Sequence, residues 1–133
     1  MVTEIKKETV KALLIDPENE EVKEIELTRG DGGSLLRELY RVIGCNLVDV
    51  MHDAIVLNGE PRDEDVWIDD EALLKNPGHF WRIEGSPYEF AAGRDVVLGY
   101  DPRDGESVAH SLAPADIAEL RKNIRFAHLE DML

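Results

Sequence analysis

The side chains most able to do chemistry crowd into one stretch. Six carboxylates occupy the nine positions from Asp63 to Glu71, on either side of Val66-Trp67-Ile68. Such density could hold a hard cation, attract a basic protein, or imitate the phosphate pattern of DNA. The first option lacks its pattern. A calcium loop of the EF-hand type needs oxygen ligands at alternate positions, then a glycine, then a distant glutamate. Here Asp63-Glu64-Asp65 runs into Val66-Trp67. Asp69-Asp70-Glu71 is better suited to the start of a short helix, where the dipole favours negative charge. No cofactor and no metal ligand set is therefore assigned. Trp67 alternates away from Val66 and Ile68, so it either stands among the acids as a partner anchor or tucks under the next loop. The candidate partner-binding residues are Asp63, Glu64, Asp65, Trp67, Asp69 and Asp70. The alternative is a metal-dependent enzyme using the carboxylates of this cluster.

A second candidate is a small-ligand pocket between sheet and helix near His79, Trp81 and Arg94. The histidines at 52, 79, 110 and 128 are scattered, and none has a His-Glu-x-x-His spacing. His52 adjoins Asp53, but neighbours on a strand point to opposite faces. Cys45 is the only cysteine, so no internal disulfide exists, and beside Gly44 it reads as a small core residue. Gly30-Asp31-Gly32-Gly33 is followed by Ser34-Leu35 rather than the Lys-Ser or Lys-Thr pair of a phosphate loop. No catalytic residue is assigned.

The net charge is −14, from 15 basic and 29 acidic residues. This argues against direct nucleic-acid binding, which needs a basic footprint. It fits a solvated surface, a salt-adapted one, or attraction to a basic partner. No run approaches the roughly 20 apolar residues of a membrane span, and Met1–Glu8 has mixed charge without an apolar core, so a cytoplasmic protein is expected. The length suits one domain with a real core. It is placed at 10–126, with flexible ends at 1–9 and 127–133.

The elements that must position these residues follow from patterning. Residues 10–15 form an apolar run, and 21–27 alternate with a slip near Lys23-Glu24 that suggests a bulge; Asp16-Pro17-Glu18-Asn19 turns between them. Ser34 would cap a helix over 35–43 that Gly44 ends. Residues 47–57 read as one or two strands, broken near His52-Asp53, before the Asn58-Gly59 turn. Val66-Trp67-Ile68 is a short strand. Leu73 and Leu74 lie on a short helix capped by Asp69 or Asp70 and stopped by Asn76-Pro77-Gly78. Phe80 and Trp81 point opposite ways if their segment is a strand. Val96-Val97-Leu98 is a buried strand, Asp101 to Gly105 a turn, and 106–110 the returning strand. Pro114 opens a last helix with an apolar seam of Ile117, Leu120 and Ile124. The fold expected is α+β: a mainly antiparallel sheet of about five to six strands with two main helices and a short third.

Leu-Ile-Asp-Pro (14–17), Asp-Asp-Glu-Ala-Leu-Leu (69–74) and Ala-Gly-Arg-Asp-Val-Val-Leu-Gly-Tyr-Asp (92–101) occur in this order, followed by a short strand and a C-terminal helix. The pattern resembles the DUF3846 family of small phage, plasmid and host proteins of unknown function, over about residues 10–126. The resemblance implies a compact α+β domain in a mobile-element setting and transfers no catalytic residue. Charge and the lack of a catalytic constellation point to a non-enzymatic acidic module that binds a basic protein, in its sharpest form a charge mimic that inhibits a nucleic-acid-handling partner.

Overall fold

The structure is a computed structural model that describes residues 8–52, 54–75, 77–86, 91–100 and 109–131. β1 (Thr9–Asp16) and β2 (Glu21–Thr28) form a hairpin, and a 3₁₀ turn at Asp31–Gly33 leads to α1 (Leu36–Ile43). There follow β3 (Val48–Met51), a small hairpin of β4 (Val56–Leu57) and β5 (Glu60–Pro61), and β6 (Glu64–Asp69). A 3₁₀ turn at Ala72–Lys75 precedes β7 (His79–Ile83), β8 (Ala91–Ala92) and β9 (Asp95–Tyr100). β10 (Ala109–His110), α2 (Pro114–Asn123) and β11 (Ile124–His128) complete the order, with a last 3₁₀ turn at Leu129–Asp131.

All strand pairings among the described residues are antiparallel. The main sheet runs β2-β1-β9-β6-β3, with β10 also on β9; a second sheet runs β11-β7-β8. β9 is central because its sequence permits it. Val96, Val97 and Leu98 are all fully buried, and an apolar run without alternation can be covered on both faces. α1 covers one face, where Leu35, Leu39 and Ile43 meet Val10, Ala12, Leu27, Val96 and Leu98. On the other face the second sheet, α2 and the β4–β5 hairpin bury Trp81, Ile83, Ile117, Leu120, Ile55 and Leu57 against Leu13, Ile15, Val66 and Val97.

The α+β class holds, with several sheets in place of the single one expected. The slip in β2 is no bulge: its register with β1 is unbroken from Thr9↔Thr28 to Asp16↔Glu21. Val22 packs on the second-sheet face while Ile25 and Leu27 face α1, so the change of parity records a strand with apolar neighbours on both sides. In the turn, Glu20 rather than Asn19 takes the left-handed conformation (φ 52°), and Asn19 Nδ2 donates to Asp16 at 2.8 Å. α1 starts one residue later than expected. Ser34 Oγ accepts the Leu36 N–H at 3.2 Å, and Gly44 closes the helix at φ 79°. The short third helix is only a 3₁₀ turn, and its Leu73 and Leu74 are exposed instead of anchoring it. The last helix stops at Asn123. Ile124 does reach the core, but as the first residue of β11, and Ala127 and His128 continue that strand where fraying was expected. The turn at 101–105, the first part of the returning strand, Asn76 and Asp53 lie outside the described residues.

Candidate functional site

Antiparallel pairing brings one set of strand ends together. The end of β1 and its turn, the end of β6, and the starts of β7 and β9 meet beside the C-terminus of α1. They enclose a cleft of about 310 Å³ lined by Asp16, Glu18, Gly44, Asp69, Lys75, His79 and Arg94, among others. Gly44 matters twice here. Its positive φ closes α1, and a Cβ there would fall 2.5 Å from Arg94 Nη2. The guanidinium thus lies against bare backbone. Among the described residues Arg94 makes no ion pair or side-chain hydrogen bond.

The other cleft groups are held. Lys75 Nζ donates to Asp69 Oδ2 at 2.6 Å, and this bond raises the Lys75 pKa. Asp69 Oδ1 also accepts the Glu71 N–H at 2.9 Å, so Asp69, not Asp70, caps the turn. The Asp16 carboxylate is tied to Asn19. His79 faces His128 across the β7–β11 pairing with Nδ1···Nδ1 2.8 Å and rings edge to face, so one imidazole donates and the other accepts.

His79 and Arg94 therefore share a cleft, but Trp81 does not join them. Trp81 shares the His79 face of β7 but lies two residues further along it, packed in the core, where its Nε1 donates to Asp95 Oδ2 at 2.6 Å. Asp95 is fully buried. Burial drives its pKa well above the carboxylate range, the Trp81 bond offsetting this in part. Cys45 is buried, and burial pushes its thiol pKa up, as for an inert core thiol.

The acidic stretch does not form one surface. Successive residues of β6 face opposite sides of the sheet. Glu64 turns toward α2 and is buried beside Arg62 and Asp116. Burial first, then the Asp116 carboxylate, push its pKa up to about 7, with Arg62 opposing. Asp65 is buried on the α1 side and bonds His52 Nδ1 at 2.9 Å. Trp67 is half-buried against the α1 cluster, its Nε1 enclosed, so it is no exposed anchor. Of the six partner-binding candidates only Asp63 and Asp70 are fully exposed. Among the described residues no group of three or more His, Cys, Asp or Glu side chains converges as metal ligands, so the carboxylates named for a metal-dependent enzyme are not gathered.

Several pairs have no signal in the sequence, His79–His128 and Trp81–Asp95 among them. The sequence sets His52 beside Asp53, whereas its bonded carboxylate is Asp65: the β3–β6 register, with Met51 opposite Val66, places the next pair together. Arg62 donates to Glu119 Oε2 at 2.7 Å, clamping α2 to the link between β5 and β6, and no local signal announces it.

A family model described as "Domain of unknown function (DUF3846)" matches residues 10–125. No curated protein matches, and no solved structure does. No helix among the described residues is long and apolar enough to cross a membrane.

Proposed function

The chain belongs to the DUF3846 family, and we propose that it is a small-ligand-binding domain whose cleft takes a compact molecule bearing a carboxylate or phosphate. The single observation that carries this reading is Arg94: a guanidinium without an ion-pair partner among the described residues, laid against Gly44 inside a cleft of about 310 Å³. Binding pockets range from roughly 300 to 1,000 Å³ and combine apolar walls with a few convergent polar groups. This cleft lies at the small end, with Ile43, Ala72 and Pro77 as apolar wall and His79 and Lys75 as further donors. A guanidinium matches the two oxygens of a carboxylate or phosphate with parallel N–H bonds. Asp16 and Glu18, which also line the cleft, favour a ligand that carries donors as well.

The setting proposed for it is that of a phage- or plasmid-type accessory protein in the cytoplasm. Charge mimicry by the β6 carboxylates is not part of the proposal, because the strand divides them between two faces.

A thermal-shift panel of small carboxylates and phosphates tests the reading. Wild type should gain melting temperature with at least one compound, since a ligand that binds only the folded state stabilises it. Arg94→Gln should keep the unliganded melting temperature and lose the gain. A gain that survives in Arg94→Gln would place binding elsewhere.

A further inference from the structure

The turn that walls the cleft has an outer side, and its composition is unusual for a water-facing surface. Ala72 and Lys75 line the cleft, whereas Leu73 and Leu74 are 75% and 79% exposed. Leu47 is 52% exposed, and its carbonyl accepts the Asp70 N–H at 3.1 Å, which ties its backbone to the segment that opens this turn. Single exposed leucines are ordinary, but Leu73 and Leu74 are consecutive on one turn, and Leu47 is tethered to the segment that opens it. The exposed carboxylates Asp70 and Glu71 border it directly, and Asp49 is exposed two residues beyond Leu47. The nearby cation, Lys75, is neutralised by Asp69. An apolar centre with an acidic rim selects an occupant of opposite rim charge.

We propose that Leu47, Leu73 and Leu74 form a docking surface for a basic, amphipathic segment of another protein, its apolar side chains on the leucines and its Lys or Arg residues on Asp70 and Glu71. The inference is independent of the cleft ligand. A second copy of this chain is the poorer occupant, since acidic rim would meet acidic rim in a protein of net charge −14. The surface differs from the acidic stretch as a linear motif: the leucines supply the contact, and Asp70 and Glu71 supply its sign.

The test uses the full chain and a fluorescent amphipathic peptide of leucine and lysine, with a leucine–glutamate peptide of the same pattern as control. Wild type should bind the basic peptide, and raised salt should weaken binding. The double variant Leu73→Ser/Leu74→Ser, which keeps the charge, should bind about tenfold more weakly or worse with unchanged melting temperature. Asp70→Asn/Glu71→Gln should flatten the salt dependence. Three results would overturn the proposal: no binding by wild type, equal affinity in the serine variant (attraction by net charge alone), or equal binding of the acidic control. A wild-type dimer in sedimentation that the serine variant abolishes would also overturn it, by making the occupant a second copy.

Discussion

Along β6, neighbouring carboxylates part company: Glu64 goes to the α2 side and Asp65 to His52 on the α1 side. At the end of the same strand the reverse occurs. Asp69 is drawn into a cleft with residues as distant in the chain as Asp16 and Arg94. The two-residue period of a strand disperses charge that is dense in sequence, while antiparallel register gathers side chains that are sparse in it. Density along the chain is thus a poor guide to density in space wherever the chain is extended, and strand ends are the better place to look.

Trp81, expected in the pocket, lies in the core. Trp81→Ala should cost about 3–5 kcal/mol, from the lost packing and the cavity left behind, and should strip Asp95 of its one bonded donor. Urea denaturation reads this directly; wild-type stability in the variant would return Trp81 to the ligand site.

Glu64 sharpens the dispersed side. Its folded-state pKa of about 7 lies above the ordinary value of 4.5. The stability it contributes as a neutral acid is fully present below about 4.5 and is lost as pH rises through about 7, because the folded state holds the proton that the unfolded state has released. Unfolding free energy should therefore fall between acidic and alkaline buffer, by about 1–3 kcal/mol from this group. Glu64→Gln should flatten that fall. An identical pH profile in the variant would show that Glu64 is solvated, and that the acidic strand presents it outward.

Gly44 sharpens the gathered side. Gly44→Ala should cost about 1–2 kcal/mol for a left-handed residue with a Cβ, and the new methyl must displace Arg94. A variant that is less stable yet responds to ligands as wild type does would detach Arg94 from binding. The smallest effect is expected at the exposed acids: Asp63→Asn and Asp70→Asn should each change stability by no more than about 0.5 kcal/mol.

What the sequence made legible was local. The β1–β2 hairpin, the body of α1 and the turn at Asn58 and Gly59 (φ 54° and 78°) follow from contacts a few residues apart. The central place of β9 was readable from its unbroken apolar run. β11 was not, because Arg125, Phe126 and Ala127 are extended only through pairing with Arg82, Trp81 and Phe80 of β7, and the helical spacing of Ile117, Leu120 and Ile124 masks the change at Asn123. The cleft was half-legible. His79 and Arg94 do share it, but Trp81 does not, because alternation puts His79 and Trp81 on one face of β7 without saying that the core begins between them. Asp16, Gly44 and Lys75 join the cleft only through the packing of a strand end, a helix end and a turn, which no short motif encodes.

The most direct measurement is a ¹⁵N NMR titration with the compound that most raises the melting temperature. The account expects the amide signals of Gly44, Gly78, His79, Gly93 and Arg94 to move together and saturate, with those of Asp63–Val66 unmoved. Shifts centred on β6, or saturable binding that leaves Gly44 and Arg94 unmoved, would contradict it.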